Sequence, residues 1–170
     1  NSLVRDISKR MAEQNKALGI HYNFSPSVDV NNNSKNPIIG NRSFGEDPNN
    51  VYLKAKAYIQ GHKDAGVFTS IKHFPGHGDT DKDSHKTLPV LTFNRHRLFS
   101  VDLFPSSTFF FAGMSPVFTA HLIIPVLVPI PTLPPSFSSH VVTPLFMSNL
   151  GFFGLLFTDG LPFPLAANSS

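Results

Sequence analysis

The middle of the chain concentrates side chains that transfer protons or bind ligands. The segment KHFPGHGDTDKDSH, residues 72–85, holds three histidines, three aspartates and two lysines. Histidine and aspartate are good metal ligands. The spacing is not that of a zinc site, however, because a proline and a glycine separate His73 from His77 and keep them off a shared helix face. The chain has no cysteine, which excludes a thiol nucleophile, a disulfide framework and cysteine-ligated zinc.

The pair Asp83 and His85 has the spacing of an acid–base dyad. Residues two apart on an extended segment point to the same side, so Asp83 could accept a hydrogen bond from one ring nitrogen of His85. Such a bond fixes the tautomer, raises the proton affinity of the ring and leaves the other nitrogen for a substrate. A solvated loop with an incidental Asp-x-His pattern is the alternative, and spacing alone favours it.

The elements that position these residues alternate between helices and strands. Hydrophobic periodicity and capping residues predict helices over 3–18, 48–65, 100–112 and 136–150, and strands over 21–24, 67–71, 115–121 and 154–158. The strands are apolar throughout, as in a parallel sheet that helices cover. The sequence therefore predicts an α/β fold with a parallel sheet.

Polar residues follow each predicted strand, namely Asp29, Lys72 with His73, His121 and Asp159. In open α/β sheets and in (β/α)8 barrels alike, binding sites form at the carboxyl ends of parallel strands. We therefore expect these side chains to share one pocket.

Charge is distributed unevenly along the chain. The 170 residues are enough for one domain, 41% of them are hydrophobic, and a net charge of +3 is too small to predict nucleic-acid binding. From 103 to 170, however, Asp159 is the only Asp, Glu, Lys or Arg. Three explanations fit: burial of this half by a partner or membrane, a truncated or altered reading frame, or misassigned residues after Asp102. We favour the last explanation, because this half keeps residues that match motifs but lacks the charged residues expected on exposed helix faces.

No membrane span or leader is predicted. The most apolar run, 122–135, contains five prolines and is shorter than the roughly 20 residues that a spanning helix needs. Six charges in 3–18 exclude a signal-peptide core there. A cytoplasmic and a periplasmic or secreted bacterial location are both compatible with the sequence, and no oligomeric state follows from it. Because the chain begins with Asn1, we expect its native start to be missing.

The run KHFPGHGDTDKDSHKTLP resembles a signature of glycoside hydrolase family 3, in the β-N-acetylhexosaminidase branch. Upstream, ALGIHYNFSPSVDVNNNSKNPIIGNRSFGEDP is similar to the preceding strand and loop of that family. Downstream, MSPVFTAHL and GFFGLLFTDGL are similar to two of its later strands. Four segments in the family's order make a specific resemblance that covers nearly the whole chain.

The resemblance implies a (β/α)8 TIM-type barrel, with residues 1–170 forming a single, partial catalytic domain from its middle and later part. It implies a retaining hydrolase that releases terminal β-linked N-acetylglucosamine from an oligosaccharide, such as a peptidoglycan fragment or a chitin oligomer. Asp159 would be the nucleophile, and His85 the general acid/base with Asp83 as its orienting partner. We expect no cofactor and no metal.

The resemblance also assigns sugar-binding residues. Lys72 and His73 would bind sugar hydroxyls, and Arg42 would contact the sugar in the innermost subsite. For His121 it implies only a place near the pocket, while Asp29 and His77 are interpreted as residues that structure the loops. Without the resemblance, Arg42 could equally pair with Glu46 or Asp47.

The sequence departs from the family in ways that keep two alternatives open. A (β/α)8 barrel takes about 250 residues, so we expect this chain to be a fragment. The residues after Asp159 are Gly160-Leu161-Pro162-Phe163 rather than the family's usual pattern, which favours a catalytically inactive, carbohydrate-binding remnant. A family 3 β-glucosidase-like enzyme is the other alternative, although that branch lacks the Asp-Ser-His insertion.

Overall fold

The computed structural model describes residues 1–80, 89–113, 116–127, 152–158 and 160. Their helices are α1 (Ser2–Ala17), α2 (Pro48–Ala65), α3 (Arg95–Arg97) and α4 (Phe104–Phe111), with a 3₁₀ turn at Gly40–Arg42 and a π-helical turn at Leu98–Asp102. The strands are β1 (Tyr22–Asn23), β2 (Phe68–Thr69), β3 (Ile71–Phe74), β4 (Val117–Thr119) and β5 (Leu156–Thr158).

The two long helices confirm their predicted positions. Helix α2 begins where the Asp47 carboxylate accepts a hydrogen bond from the Asn50 amide at 2.7 Å, and it ends at Gly66, whose φ of 75° is left-handed. The predicted helix over 100–112 is wrong in its start, because the helical path begins at Arg95 and passes through the π-helical turn before α4. The helix predicted over 136–150 lies outside the described residues.

The strand predicted over 67–71 is wrong in its bounds. It is divided at Ser70 into β2 and β3, and β3 continues to Phe74. Lys72 and His73 therefore lie within a strand and not in the loop after it. The reason is that the β3 backbone goes on pairing with both neighbours: the Lys72 amide donates to Pro26 O at 3.1 Å, while Ile71 and Lys72 pair with Val117 and Phe118.

The strands are parallel, as predicted. β1 pairs with β2, and β3, β4 and β5 pair in that order. A bridge between Ser27 and Lys72 continues the pairing of β1 past the end of the strand. Four segments of the chain thus lie side by side in sequence order. A doubly wound sheet reverses its order at a switch point, whereas a barrel wall adds each strand beside the last.

Ring contacts show that this sheet curls. The ring centroid of Phe157, on the last strand, lies 5.2 Å from that of Tyr22 on the first and 5.2 Å from that of Phe24. Two strand segments lie between them, so a flat sheet would separate the outer strands by about 14 Å. The curl brings one face inward around these aromatic rings, as in the wall of a barrel. The α/β class is confirmed, and a complete eight-stranded barrel stays a prediction.

Helices α1 and α2 pack closely on each other. A Cβ on Gly61 of α2 would lie 2.3 Å from the Arg5 carbonyl oxygen of α1, so only glycine fits at this crossing. The core between the helices and the sheet is formed by apolar residues of α2, α4 and the strands, among them Val51, Ala55, Ile59, Ile71, Phe74, Phe109 and Val117. Within the described part of the chain, no helix has the length and hydropathy to cross a membrane.

Candidate active site

The carboxylate of Asp29 organises the carboxyl ends of the first strands. The residue is 1% exposed, and its side chain accepts hydrogen bonds from Ser27 Oγ at 2.7 Å, the His77 amide at 2.7 Å and His73 Nδ1 at 2.8 Å. Burial raises the pKa of the Asp29 carboxyl, but the interactions with His73, Ser27 and His77 outweigh burial and hold that pKa well below its usual range. Asp29 is therefore ionised in the folded protein.

An ionised Asp29 determines the tautomer of His73. A carboxylate only accepts hydrogen bonds, so Nδ1 of His73 carries a proton and donates it. The side chain of His73 is 11% exposed, and its ring meets the ring of Phe118 edge to face, with centroids 6.1 Å apart. Held on one side by Asp29 and on another by Phe118, the imidazole has Nε2 left for a ligand.

Strand β3 is irregular at Lys72 and His73. The register of β3 against β4 shifts between Lys72 and Phe74, and the peptide bond between Lys72 and His73 is cis. A shift of this kind re-aims side chains that would otherwise alternate across the sheet. The two residues are partly exposed, while Ile71 and Phe74 on either side are buried. Two adjacent residues that carry an ammonium group and an imidazole are therefore each partly accessible.

The loop after β3 is held against the loop after β1. The Asn36 side chain donates to the His77 carbonyl at 2.7 Å, and the Thr80 hydroxyl lies 2.6 Å from His77 Nδ1. Burial lowers the pKa of the His77 imidazole, although the nearby Asp29 raises it. A Cβ on Gly78 would lie 1.8 Å from the Val30 carbonyl oxygen, so the two loops are in backbone contact there.

Arg42 stands at the edge of this cluster. It ends the 3₁₀ turn, is exposed, and donates from one guanidinium nitrogen to the Ile38 carbonyl at 3.2 Å. Asn36 accepts a hydrogen bond from the Ile38 amide at 2.9 Å and donates to the His77 carbonyl at 2.7 Å, so the turn that carries Arg42 adjoins the loop after β3. The alternative pairing with Glu46 or Asp47 is wrong, because the ion pairs among the described residues do not include Arg42, and Asp47 caps α2.

The ends of β4 and β5 lie beside each other. Thr119 of β4 pairs with Thr158 of β5, and the buried His121 donates from Nε2 to the Gly160 carbonyl at 3.3 Å. Thr158 and Gly160 are the sequence neighbours of Asp159, which itself lies outside the described residues. Asp83 and His85 also lie outside them.

The structure thus places the predicted binding residues Lys72 and His73 side by side on β3, and it places Arg42 on the 3₁₀ turn of the loop after β1. It adds Asp29, whose pairing with His73 the sequence analysis missed. The sequence did contain a signal for this pairing. Asp29 is the only acidic residue of the segment SPSVDV, and a carboxylate that is buried with its apolar neighbours needs hydrogen-bond partners. Within the described ranges, no three His, Cys, Asp or Glu side chains form a group that could hold a metal ion.

Comparisons with known proteins decide the family. The profile described as "Glycosyl hydrolase family 3 N terminal domain" matches residues 1–167. The chain belongs to glycoside hydrolase family 3. This confirms the family that the four segments indicated.

The relatives come from the branch that the sequence suggested. "Beta-hexosaminidase A" of Pseudoalteromonas piscicida is 36% identical over 91% of this chain and 28% of its own length. "Beta-hexosaminidase" of Xylella fastidiosa strain M23 is 37% identical over 89% of this chain and 44% of its own length. The solved family 3 beta-N-acetylglucosaminidase of Paenibacillus sp. str. FPU-7 superposes with a TM-score of 0.91 at 38% identity, over 97% of this chain and 31% of that one. The chain therefore spans less than half the length of the curated relatives that it matches.

Proposed function

We propose that this chain is part of a retaining family 3 glycosidase that releases terminal β-linked N-acetylglucosamine. The observation that carries the proposal is the Asp29–His73 hydrogen bond of 2.8 Å, which fixes an imidazole beside Lys72 at the carboxyl ends of parallel strands. In a family 3 chain, this end of the sheet is where substrate binds. Relatives named beta-hexosaminidase support N-acetylglucosamine as the sugar.

The proposed chemistry uses two groups with separate tasks. A retaining glycosidase needs a carboxylate that attacks the anomeric carbon and a proton donor for the leaving oxygen. Asp159 would attack, and the covalent glycosyl-enzyme would then be hydrolysed by water. His85 would protonate the leaving group and then activate that water. A histidine can replace the usual carboxylic acid when a neighbouring carboxylate, here Asp83, stabilises its charged form.

The described residues would bind and orient the sugar. Lys72 and Arg42 carry donors for hydroxyl oxygens, and His73 presents Nε2 to a hydroxyl from a ring that Asp29 and Phe118 hold in place. The positive charges of Lys72 and Arg42 would also favour the ionised form of a nucleophilic carboxylate at the same mouth. Terminal residues of peptidoglycan fragments or chitin oligomers are the substrates that we propose.

The test compares substrates on the full-length protein, because this chain spans only part of its relatives. The 4-nitrophenyl β-N-acetylglucosaminide should be hydrolysed much faster than the matching β-glucoside, and the β-anomer should be the first product seen by NMR. Asp159→Ala should abolish turnover, whereas Asp64→Ala, on the exposed part of α2, should leave it unchanged.

Other outcomes identify the alternatives. Faster hydrolysis of the glucoside would favour the β-glucosidase-like enzyme. Binding of N-acetylglucosamine without turnover by the wild-type protein would establish the inactive remnant. Full activity of the Asp159→Ala variant would contradict the assignment of the nucleophile.

A further inference from the structure

A guanidinium and two carboxylates form a cluster that the proposed reaction does not use. One terminal nitrogen of Arg97 donates to Asp102 at 2.7 Å, and the other donates to Asp79 at 3.1 Å. The carboxylates come from different parts of the chain, since Asp102 ends the π-helical turn and Asp79 lies in the loop after β3. Arg97 is thus the bridge between this loop and the helical layer.

Further contacts support Arg97 on its helical side. The guanidinium carbon of Arg97 lies 4.9 Å from the centre of the Phe93 ring, and Asn94 caps α3 by accepting from the Arg97 amide at 2.9 Å. Asp102 is 4% exposed. Burial raises the pKa of Asp102 to about 6, with Arg97 lowering it and Asp79 raising it. Because burial disfavours the charged form of Asp102, this carboxylate depends on the Arg97 guanidinium to stay ionised at neutral pH.

On its other side the cluster holds the end of a loop. A Cβ on Gly76 would lie 2.9 Å from Cβ of Asp102, and Asn33 donates to the Asp79 carbonyl at 3.4 Å. Together with the Asn36 contacts, these bonds fix residues 76–80 between the π-helical turn and the loop after β1. Asp79 is two residues from the start of 81–88, the segment that contains Asp83 and His85.

We propose that Arg97 is a positioning residue for acid catalysis: by joining Asp79 to Asp102, it holds residues 76–80, which directly precede the Asp83–His85 segment in the chain. The inference rests on the proposed function, because it assigns a consequence to the acid/base role of His85. The effect should appear in protonation of the leaving group and not in sugar binding, since none of the three residues of the cluster belongs to the binding set Arg42, Lys72 and His73.

The test uses two N-acetylglucosaminides that differ in their need for an acid. An activated aryl leaving group departs with little protonation, whereas a sugar or methyl leaving group needs it. In the full-length protein, Arg97→Met should lower kcat/KM for the poor leaving group by about 10- to 100-fold, a loss within the range of general acid catalysis. For the activated substrate the loss should stay below about threefold, with KM nearly unchanged.

Arg95→Met is the matched control. Arg95 lies on the same helix and covers the Phe99 ring at 5.1 Å, but it forms none of the ion pairs among the described residues. This variant should behave like wild type on both substrates. Asp79→Asn, which changes a partly exposed side chain, should reproduce the Arg97→Met pattern. The loss in the double variant, expressed as a free energy, should be smaller than the sum of the two single losses, because each single variant already removes the same bond between Arg97 and Asp79.

Each result has one interpretation. Equal losses on both substrates, or no loss in either variant, would overturn the positioning role while the wild-type activity still supports the proposed function. A wild-type protein that hydrolyses neither substrate would overturn the proposed function and, with it, this inference. If Arg97→Met does not fold, as judged by circular dichroism, Asp79→Asn alone decides between these outcomes.

Discussion

At the residue scale, the site depends on one buried charge. The Asp29 carboxylate accepts hydrogen bonds from a side-chain hydroxyl, an imidazole and the amide of His77. The two contacts with His73 and His77 join residues that are 44 and 48 positions apart in the chain. An asparagine of the same size cannot do this, because one of its two terminal atoms is a donor. The charge, and not only the shape, of Asp29 thus sets which ring nitrogen of His73 is available to a sugar.

This argument predicts the effect of Asp29→Asn. If the new amide group faces His73 Nδ1, that nitrogen must become the acceptor, so the ring changes to the Nε2-protonated tautomer. Long-range ¹H–¹⁵N NMR on the full-length protein should show this change at His73, together with a loss in kcat/KM of about tenfold or more, equivalent to roughly 1.4 kcal/mol. The His62 ring, bonded to Ser8 and Asn23, is an internal control. An unchanged His73 tautomer would contradict the argument.

At the element scale, a buried histidine joins α1, α2 and β1. The Asn23 amide donates to His62 Nε2 at 3.0 Å, so Nδ1 carries the proton and donates to Ser8 Oγ at 2.7 Å. The ring is stacked on Tyr58, and burial lowers its pKa. The neutral ring fits this chain of bonds, whereas a protonated ring would place a donor against the Asn23 amide. The packing of the two helices is therefore sensitive to acid.

The sign of the pH dependence follows. With a folded-state pKa below the usual 6.5, the unfolded chain binds more protons in mild acid, so the His62 contribution to stability is present above about pH 6.5 and is lost as the pH falls. Asp102 acts in the opposite sense. Its pKa is raised to about 6, so its contribution is present at low pH and lost as the pH rises through about 6. A single pH profile mixes the two groups, and only a comparison of variants separates them.

We therefore expect His62→Gln to reduce the fall in Tm between pH 7.5 and pH 5. The variant should be less stable than wild type at pH 7.5, because packing and hydrogen bonds are lost, but the difference should shrink in acid. Thermal unfolding of the full-length protein at several pH values measures this. His96→Gln, at an exposed position of α3, should keep the wild-type profile. A parallel downward shift of the His62→Gln curve at every pH would contradict the neutral-ring argument.

At the scale of the whole molecule, the features that depend on neighbouring residues were predicted from the sequence better than those that depend on distant residues. The caps at Asp47 and Gly66 are readable in sequence, and they fix α2 at both ends. The end of β3 was missed because it depends on pairing with residues far away in the chain, and the register shift beside Lys72 has no local signal. The Asp29–His73 bond was missed for the same reason. The catalytic assignment of Asp83, His85 and Asp159 stays a prediction, since these residues lie outside the described ranges.

The apolar surface of α1 leads to a prediction about assembly. Leu3, Ile7 and Met11 are 69%, 51% and 42% exposed. They are spaced four apart and form a stripe of their own, about 100° around the helix from the buried Ser8 and Ala12. Exposed apolar stripes of this kind promote association. In a family barrel, where each strand is followed by a helix, a neighbouring helix would cover the stripe.

Residues 1–170 expressed alone should therefore associate, whereas the full-length protein should not do so through this surface. Analytical ultracentrifugation of the isolated chain should show a concentration-dependent rise in mass, and replacing Leu3, Ile7 and Met11 by Gln should reduce it. Arg10→Gln and Glu13→Gln, at exposed polar positions of α1, provide the matched control and should leave association unchanged. A monodisperse monomer at all concentrations would show that the stripe has no affinity for a second copy. The Gln variants could also lower the stability of the full-length protein without lowering that of the isolated chain. The stripe would then be a buried contact of the complete domain, because replacing an apolar side chain by Gln destabilises a protein mainly where that side chain is buried.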